Sequence, residues 1–316
     1  ELAGWSDEST DSAPKMAASI KQASEQRNLS HSLTLKSSGR CLIYADAGRP
    51  NGGADAALTL GARLNGSLGV TVMLANPHEE LLPTNDCGIV TTGKIKSVKG
   101  HFTNFDLVID QFAAALPSSR SVIKFENRAN DVETSCDILI DLTGDTPLFT
   151  GWEKRDGYFR AAGDDMTALA AVEREASQMI GEFEKPIYVK YDEGLCAHSR
   201  NKIDGCSRCL DVCPAGAIQS LGDHVNIDPA ICGGCGLCGA VCPSGAAQTA
   251  YPPADHLFSN MANLLNHYQG AGGKTPVLLL HDGTYGIEMI ETIARYGRGL
   301  PANMLAVSMH AMGRAG

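Results

Sequence analysis

Seven of the eleven cysteines fall within 37 residues, as Cys206-x2-Cys209-x3-Cys213-Pro and Cys232-x2-Cys235-x2-Cys238-x3-Cys242-Pro. Three thiolates at two-residue spacing wrap one face of a cubane [4Fe–4S] cluster, and a fourth, set before a proline that ends the loop, reaches a second cluster. Two such runs make eight ligand slots, seven of them filled by position. Zinc ribbons use two thiols per knuckle and leave the third cysteine and the Cys-Pro endings unexplained. Disulfides at two-residue spacing in glycine-rich turns are poor cross-links, and no secretory segment points to an oxidising compartment. The spacing predicts two iron–sulfur clusters and a chain that moves electrons.

At these residues the sequence resembles the bacterial dicluster ferredoxins, over about residues 191 to 253. The spacer repeats as well: Cys213-Pro-Ala-Gly-Ala-Ile answers Cys242-Pro-Ser-Gly-Ala-Ala. The resemblance implies crossed ligation. Cluster II would take Cys213, Cys232, Cys235 and Cys238; cluster I would take Cys206, Cys209, Cys242 and one more group. Gly233, Gly234, Gly236 and Gly239 let the backbone turn tightly and aim N–H groups at sulfur.

The chain departs from that family at the eighth ligand. Family spacing puts a cysteine three residues before Cys206, where this chain has Ile203. The nearest thiol is Cys196, behind a nine-residue spacer. Lengthening a loop is cheap, about 0.6 kcal/mol per doubling, so Cys196 is the expected ligand. Alternatives are His198 as a nitrogen ligand or a three-iron cluster with no fourth ligand. The plainer role for His198 is a loop histidine bonded to backbone. Arg200, Lys202 and Arg208 lie near the first run, and Asp223 and Asp228 near the second.

The other elements must hold this insert. The 316 residues provide for two or three domains, and 26 basic against 36 acidic residues give a net charge of −10. Nucleic acid and anionic membrane are therefore not expected as partners. No apolar run reaches the length of about 18 residues that spans a bilayer. The chain starts at Glu1 rather than Met and ends after an apolar run, as a piece of a longer polypeptide would. Free-thiol chemistry favours the cytoplasm.

Residues 1–36 read as a polar linker with one helix after Pro14. Residues 37–190 read as an α/β domain, with strands at Cys41–Ala45 and Val70–Ala75 around a helix from Gly53 to Leu64. This β-α-β pattern implies a parallel sheet. Further strands are expected at 88–92, 95–98, 105–110, 122–125 and 137–142, and a helix over Asp164 to Phe183. Residues 184–190 lead as a strand into the module at 191–253. Residues 254–316 read as a helix, carrying Leu257, Phe258, Met261, Leu264, Leu265 and Tyr268 on one stripe, and then a β-α-β segment.

A dinucleotide fingerprint is absent: Asp46-Ala-Gly48-Arg-Pro-Asn-Gly52-Gly53 has the wrong spacing. Pro83-Thr-Asn-Asp-Cys87 and Gly100-His-Phe-Thr-Asn104-Phe105 are similar to strings in the flavin-binding component of heterodisulfide reductase. That resemblance implies a flavin loop that has degenerated, and FAD is not expected. Cys41 and Cys136 read as core residues; Cys87 reads as a small buried residue after a turn, with a cluster or redox thiol as the alternative that the resemblance implies. His281 with Asp282 stand at a strand's carboxyl end without a third convergent group. The fold expected is thus α/β, a degenerate Rossmann-like domain with an inserted α+β dicluster ferredoxin module. The expected function is electron relay to or from a partner oxidoreductase, with no catalytic residues of its own. The resemblance to ferredoxin-type proteins implies a larger redox enzyme, such as formate dehydrogenase or a hydrogenase-like complex. The rival functions are a redox sensor or assembly factor, and a flavin-containing catalytic component of a complex like heterodisulfide reductase.

Overall fold

The computed structural model describes residues 6–24, 31–48, 53–78, 81–84, 86–119, 121–151, 155–200, 205–283 and 285–309. Contacts divide the chain into two compact units, residues 33–185 and residues 1–32 with 186–316.

In the first unit, β2 (Arg40–Asp46), α2 (Ala54–Leu64) and β3 (Gly69–Ala75) form the β-α-β unit, with β2 and β3 parallel. Both strands read as near-continuous apolar runs because a parallel strand is buried on both faces. The sheet continues through β4 (Ile89–His101), β5 (Asn104–Ala114) and β6 (Val132–Cys136) on one side. On the other side lie β7 (Ile138–Asp141) and β8 (Tyr158–Arg160), giving the order β6-β5-β4-β3-β2-β7-β8. Four of its pairings are parallel; β4–β5 and β5–β6 are antiparallel. Leu42, Met73, Phe105, Leu107, Ile109 and Leu139 form a buried core against this sheet. Cys41, Cys87 and Cys136 are buried, and burial pushes all three thiols up, Cys136 to about 12, as expected of core residues.

Four local expectations need correction. Strands expected at 88–92 and 95–98 are one strand, because the break at Gly93 is absorbed as a bulge between Thr92 and Lys94. A Cβ at Gly93 would lie 2.6 Å from the Ile109 side chain, so a larger residue would push the hairpin apart. The helix expected to run to Phe183 stops early: α3 spans Met166–Ala176, capped by the Asp165 carboxylate, which accepts from the N–H groups of Thr167 and Ala168. Gly181 then has φ +117, and Gly181–Pro186 runs extended as β9. Its partner is β1 (Ser32–Ser37), a strand within the segment read as linker. Residues 122–125 make no ladder. Ile123 donates its N–H to Leu81, and Phe125 makes an isolated bridge to Ala115.

In the second unit α1 (Ala13–Ser24) packs on α6 (Ala254–Gly270), and Ala18, Leu264, Tyr268 and Leu305 share a core. β14 (Val277–Asp282), α7 (Tyr285–Tyr296) and β15 (Met304–Met309) form a second β-α-β unit with parallel strands. The cysteine-bearing part is built from two small antiparallel pairs. β10 (Val189–Tyr191) pairs with β13 (Ala247–Thr249), and β11 (Ile218–Ser220) with β12 (Val225–Ile227). Two one-turn helices, α4 (Arg208–Val212) and α5 (Leu237–Val241), pack on each other. Among the described residues no helix is long and apolar enough to cross a membrane.

Candidate metal centre

The two cysteine runs fold into copies of one device. α4 ends at Cys213 with φ −74 and ψ 106, and α5 ends at Cys242 with φ −75 and ψ 108. A proline follows each, so neither helix can continue. Three residues on, Gly216 and Gly245, with φ +64 and +67, donate their N–H groups back to the Cys213 and Cys242 carbonyls. Repeating the Cys-Pro-x-Gly sequence repeats the turn, and each turn brings backbone N–H groups onto the thiol it follows. Ala217 donates to the Cys213 sulfur at 3.3 Å. Cys242 is addressed by the N–H groups of Ala247, Ser244 and Ala246 and by the Ser244 hydroxyl. Burial would raise the Cys242 thiol, but these donors outweigh it and hold the pKa below the ordinary value.

Thiols of the two runs and Cys196 stand near one another. Cys238 is buried, and burial first, then the neighbouring Cys232, Cys235 and Cys213, pushes its thiol up to about 12. Cys213 thus stands near enough to Cys238 of the second run to act on its thiol. Cys209 is raised by burial first, then by Cys196, with Cys206 also near. Cys196, although far from the motif in sequence, stands with the first run. Cys232, Cys235 and Cys213 thus neighbour Cys238, and Cys196 and Cys206 neighbour Cys209. Cys242 lies in the apolar cluster that also includes Cys196, Cys209, Cys213 and Cys238. Ile203 and Lys202 lie outside the described residues.

Cys196 is buried, which alone would raise its thiol. The Tyr191 hydroxyl, the N–H groups of Ser199 and His198 and the Ser199 hydroxyl reverse this and lower it. Tyr191 also lies 2.7 Å from Ser199 Oγ, which accepts from the Val225 N–H. The thiolate-stabilising donors are thus fixed by β10 and β12. His198 is fully buried, with Nδ1 3.2 Å from the Cys206 carbonyl and Nε2 3.2 Å from the Gly222 carbonyl and the Ser220 hydroxyl. Its ring ties Cys206 to the β11–β12 turn, the plainer of its two expected roles. Sequence reasoning missed Tyr191 and Ser199, and only the position of Ser199 three residues after Cys196 offered a signal.

Glycines allow close approach here. Gly234 has φ +79, and a Cβ on it would lie 2.5 Å from the Tyr188 ring. Gly236, with φ +80, turns the chain into α5 so that Cys238 follows Cys235 around one bend. Beside Cys242 a cleft of about 420 Å³ opens between α4 and α5, lined by Arg208, Asp211, Val212, Ala240, Val241 and Pro243.

Among the described residues no three His, Cys, Asp or Glu side chains close tightly enough to hold a single metal ion. In a cubane each thiolate binds a different iron, so the sulfurs stand apart. Neighbouring thiols with N–H and O–H donors aimed at sulfur fit such a group. His281 and Asp282 are engaged locally: His281 Nδ1 is 2.8 Å from the Asp282 carbonyl, and the Asp282 carboxylate accepts from Tyr285 and Gly286.

A search of curated proteins returned no match to the chain. Residues 202–246 match the family model described as 4Fe-4S dicluster domain, a match that covers less than half of the chain and leaves Cys196 outside it. The segment is an iron–sulfur domain of ferredoxin type, with an electron-transfer role.

Proposed function

We propose that this chain relays single electrons through two [4Fe–4S] clusters, to or from a partner oxidoreductase. Cluster I is held by Cys196, Cys206, Cys209 and Cys242, and cluster II by Cys213, Cys232, Cys235 and Cys238. The observation that carries this reading is the 4Fe-4S dicluster match over residues 202–246, which takes in seven of these eight cysteines; the nearness of Cys213 to Cys238 supports the crossing. When bound, a [4Fe–4S] cluster supplies a one-electron couple set by its ligands and by hydrogen bonds to sulfur. The protein's own part is to hold thiolates in turns that need little reorganisation and to exclude water with Ile218, Val225, Ala246 and Ala247. The cleft at Cys242 supplies a place where a partner approaches a ligand sulfur. The partner is a redox protein, a formate dehydrogenase or hydrogenase-like complex fitting the role, and the cytoplasm is the proposed compartment.

Donors around Cys196, with Arg200 and Arg208 nearby in sequence, stabilise added negative charge at cluster I. Cluster I is therefore the more easily reduced. An EPR-monitored titration should show two reversible one-electron reductions near or below about −400 mV, cluster I taking its electron first. The reverse order rejects the charge argument. Clusters that break down on each cycle reject relay and favour a sensor.

A further inference from the structure

The second β-α-β unit carries an apolar face that its own sheet does not cover. α7 buries Ile290 and Ala294, yet leaves Tyr285, Met289, Ile293 and Tyr296 exposed by 77, 63, 41 and 86%. At about 100° per residue these four side chains fall on one stripe within about 80°. Glu288, Glu291 and Arg295 lie together along one flank of it, so the stripe itself holds no charge. Single exposed apolar residues are ordinary; four in a row, two of them tyrosine and one methionine, have the composition of an interface centre.

The order of these residues identifies the occupant. Lay a second α7 antiparallel across a twofold axis near residues 290–291. Tyr285 then faces Tyr296 of the other copy, and Met289 faces Ile293. The charged flanks also meet across such an axis, bringing Glu288 opposite Arg295. The centres of these three pairings agree to within one residue, about 1.5 Å of helical rise. A twofold contact requires this kind of self-complementarity, with residue i meeting j and j meeting i. The area is also sufficient. At about 200 Å² per aromatic side chain the two tyrosines offer roughly 330 Å², and Met289 and Ile293 bring a copy to about 500 Å². Two copies then bury about 1,000 Å², the lower bound of a specific interface.

We propose that the exposed face of α7 is the contact of a homodimer, made antiparallel on a second copy of this chain. A contact of this size supports a dissociation constant in the micromolar range, and the Glu288–Arg295 pairs fix its register more than its strength.

The test is anaerobic sedimentation equilibrium of the cluster-loaded full chain at roughly 100 μM, well above a micromolar dissociation constant. The wild type should run at twice its 33.3 kDa mass. Met289→Glu, at an exposed position that the fold does not use, should run as a monomer with unchanged visible absorbance. The double variant Met289→Glu, Ile293→Lys sets opposite charges across the axis and should recover the dimer at least tenfold relative to Met289→Glu. A monomeric wild type would overturn the proposal and leave the stripe to a partner of another kind. A dimer that Met289→Glu does not weaken would overturn it too, by placing the contact elsewhere.

Discussion

Cys213→Ser will damage cluster II, the one held by the second run, and leave cluster I in place. The residue sits at the end of α4, directly after Cys206 and Cys209 in sequence, so a reading that kept each run to itself would predict the opposite. Cys213 stands near enough to Cys238 to act on its thiol, as Cys232 and Cys235 do, and its own sulfur accepts from the Ala217 N–H. Serine keeps the hydrogen-bond geometry and removes the thiolate. Iron should fall from about eight toward about four per chain, because each cubane holds four. Cys242→Ser is the mirror experiment and should damage cluster I. Site-resolved EPR of the two variants compares them: loss of the same cluster in both would refute the crossing.

This part of the molecule was legible because its chemistry imposes spacing. Thiolate ligands recur at x2 and x3 intervals, and each Cys-Pro ending stops a helix wherever it occurs. The β2–α2–β3 unit was legible for a similar reason, since doubly buried strands must be apolar throughout. Non-local pairing leaves weaker traces. Ser-Leu-Thr-Leu-Lys-Ser alternates as a strand should, but β1 finds its partner in β9, about 150 residues away, and six polar-rich residues beside a linker read as more linker. The overrun of α3 has another cause. Met179 and Ile180 continue its apolar stripe, yet Gly181 adopts a positive φ and diverts the chain into β9. Gly93 produced the reverse error, a break in the reading where the backbone only bulges. At the candidate centre, the cysteines were visible in sequence while their hydrogen-bond donors were not. Backbone N–H groups belong to every residue, and Tyr191 reaches Cys196 only because β10 and the following turn fold back.

Cys196→Ser carries the second large effect. Cys196 lies outside the dicluster match and ten residues before Cys206, yet it is buried beside Cys209 with three residues' donors aimed at it. Its replacement should remove cluster I outright or leave a three-iron centre in its place, while the EPR signal of cluster II persists. Iron then drops to between about four and about seven per chain. Ile203→Cys restores the spacing of the dicluster ferredoxins that the sequence resembles, and in the Cys196→Ser background it should rescue cluster I. Full iron content and an unchanged spectrum for Cys196→Ser alone would make Cys196 a packed loop residue. His198 is already committed to the Cys206 and Gly222 carbonyls, so that result would point to a native three-iron cluster.

The most direct measurement is the iron and acid-labile sulfide content of wild-type protein purified without oxygen. Eight thiolates in two groups predict about eight irons and eight sulfides per chain, with zinc absent in stoichiometric amount. A folded preparation that holds zinc and takes up no iron, or one that saturates at about four irons, would contradict the two-cluster account.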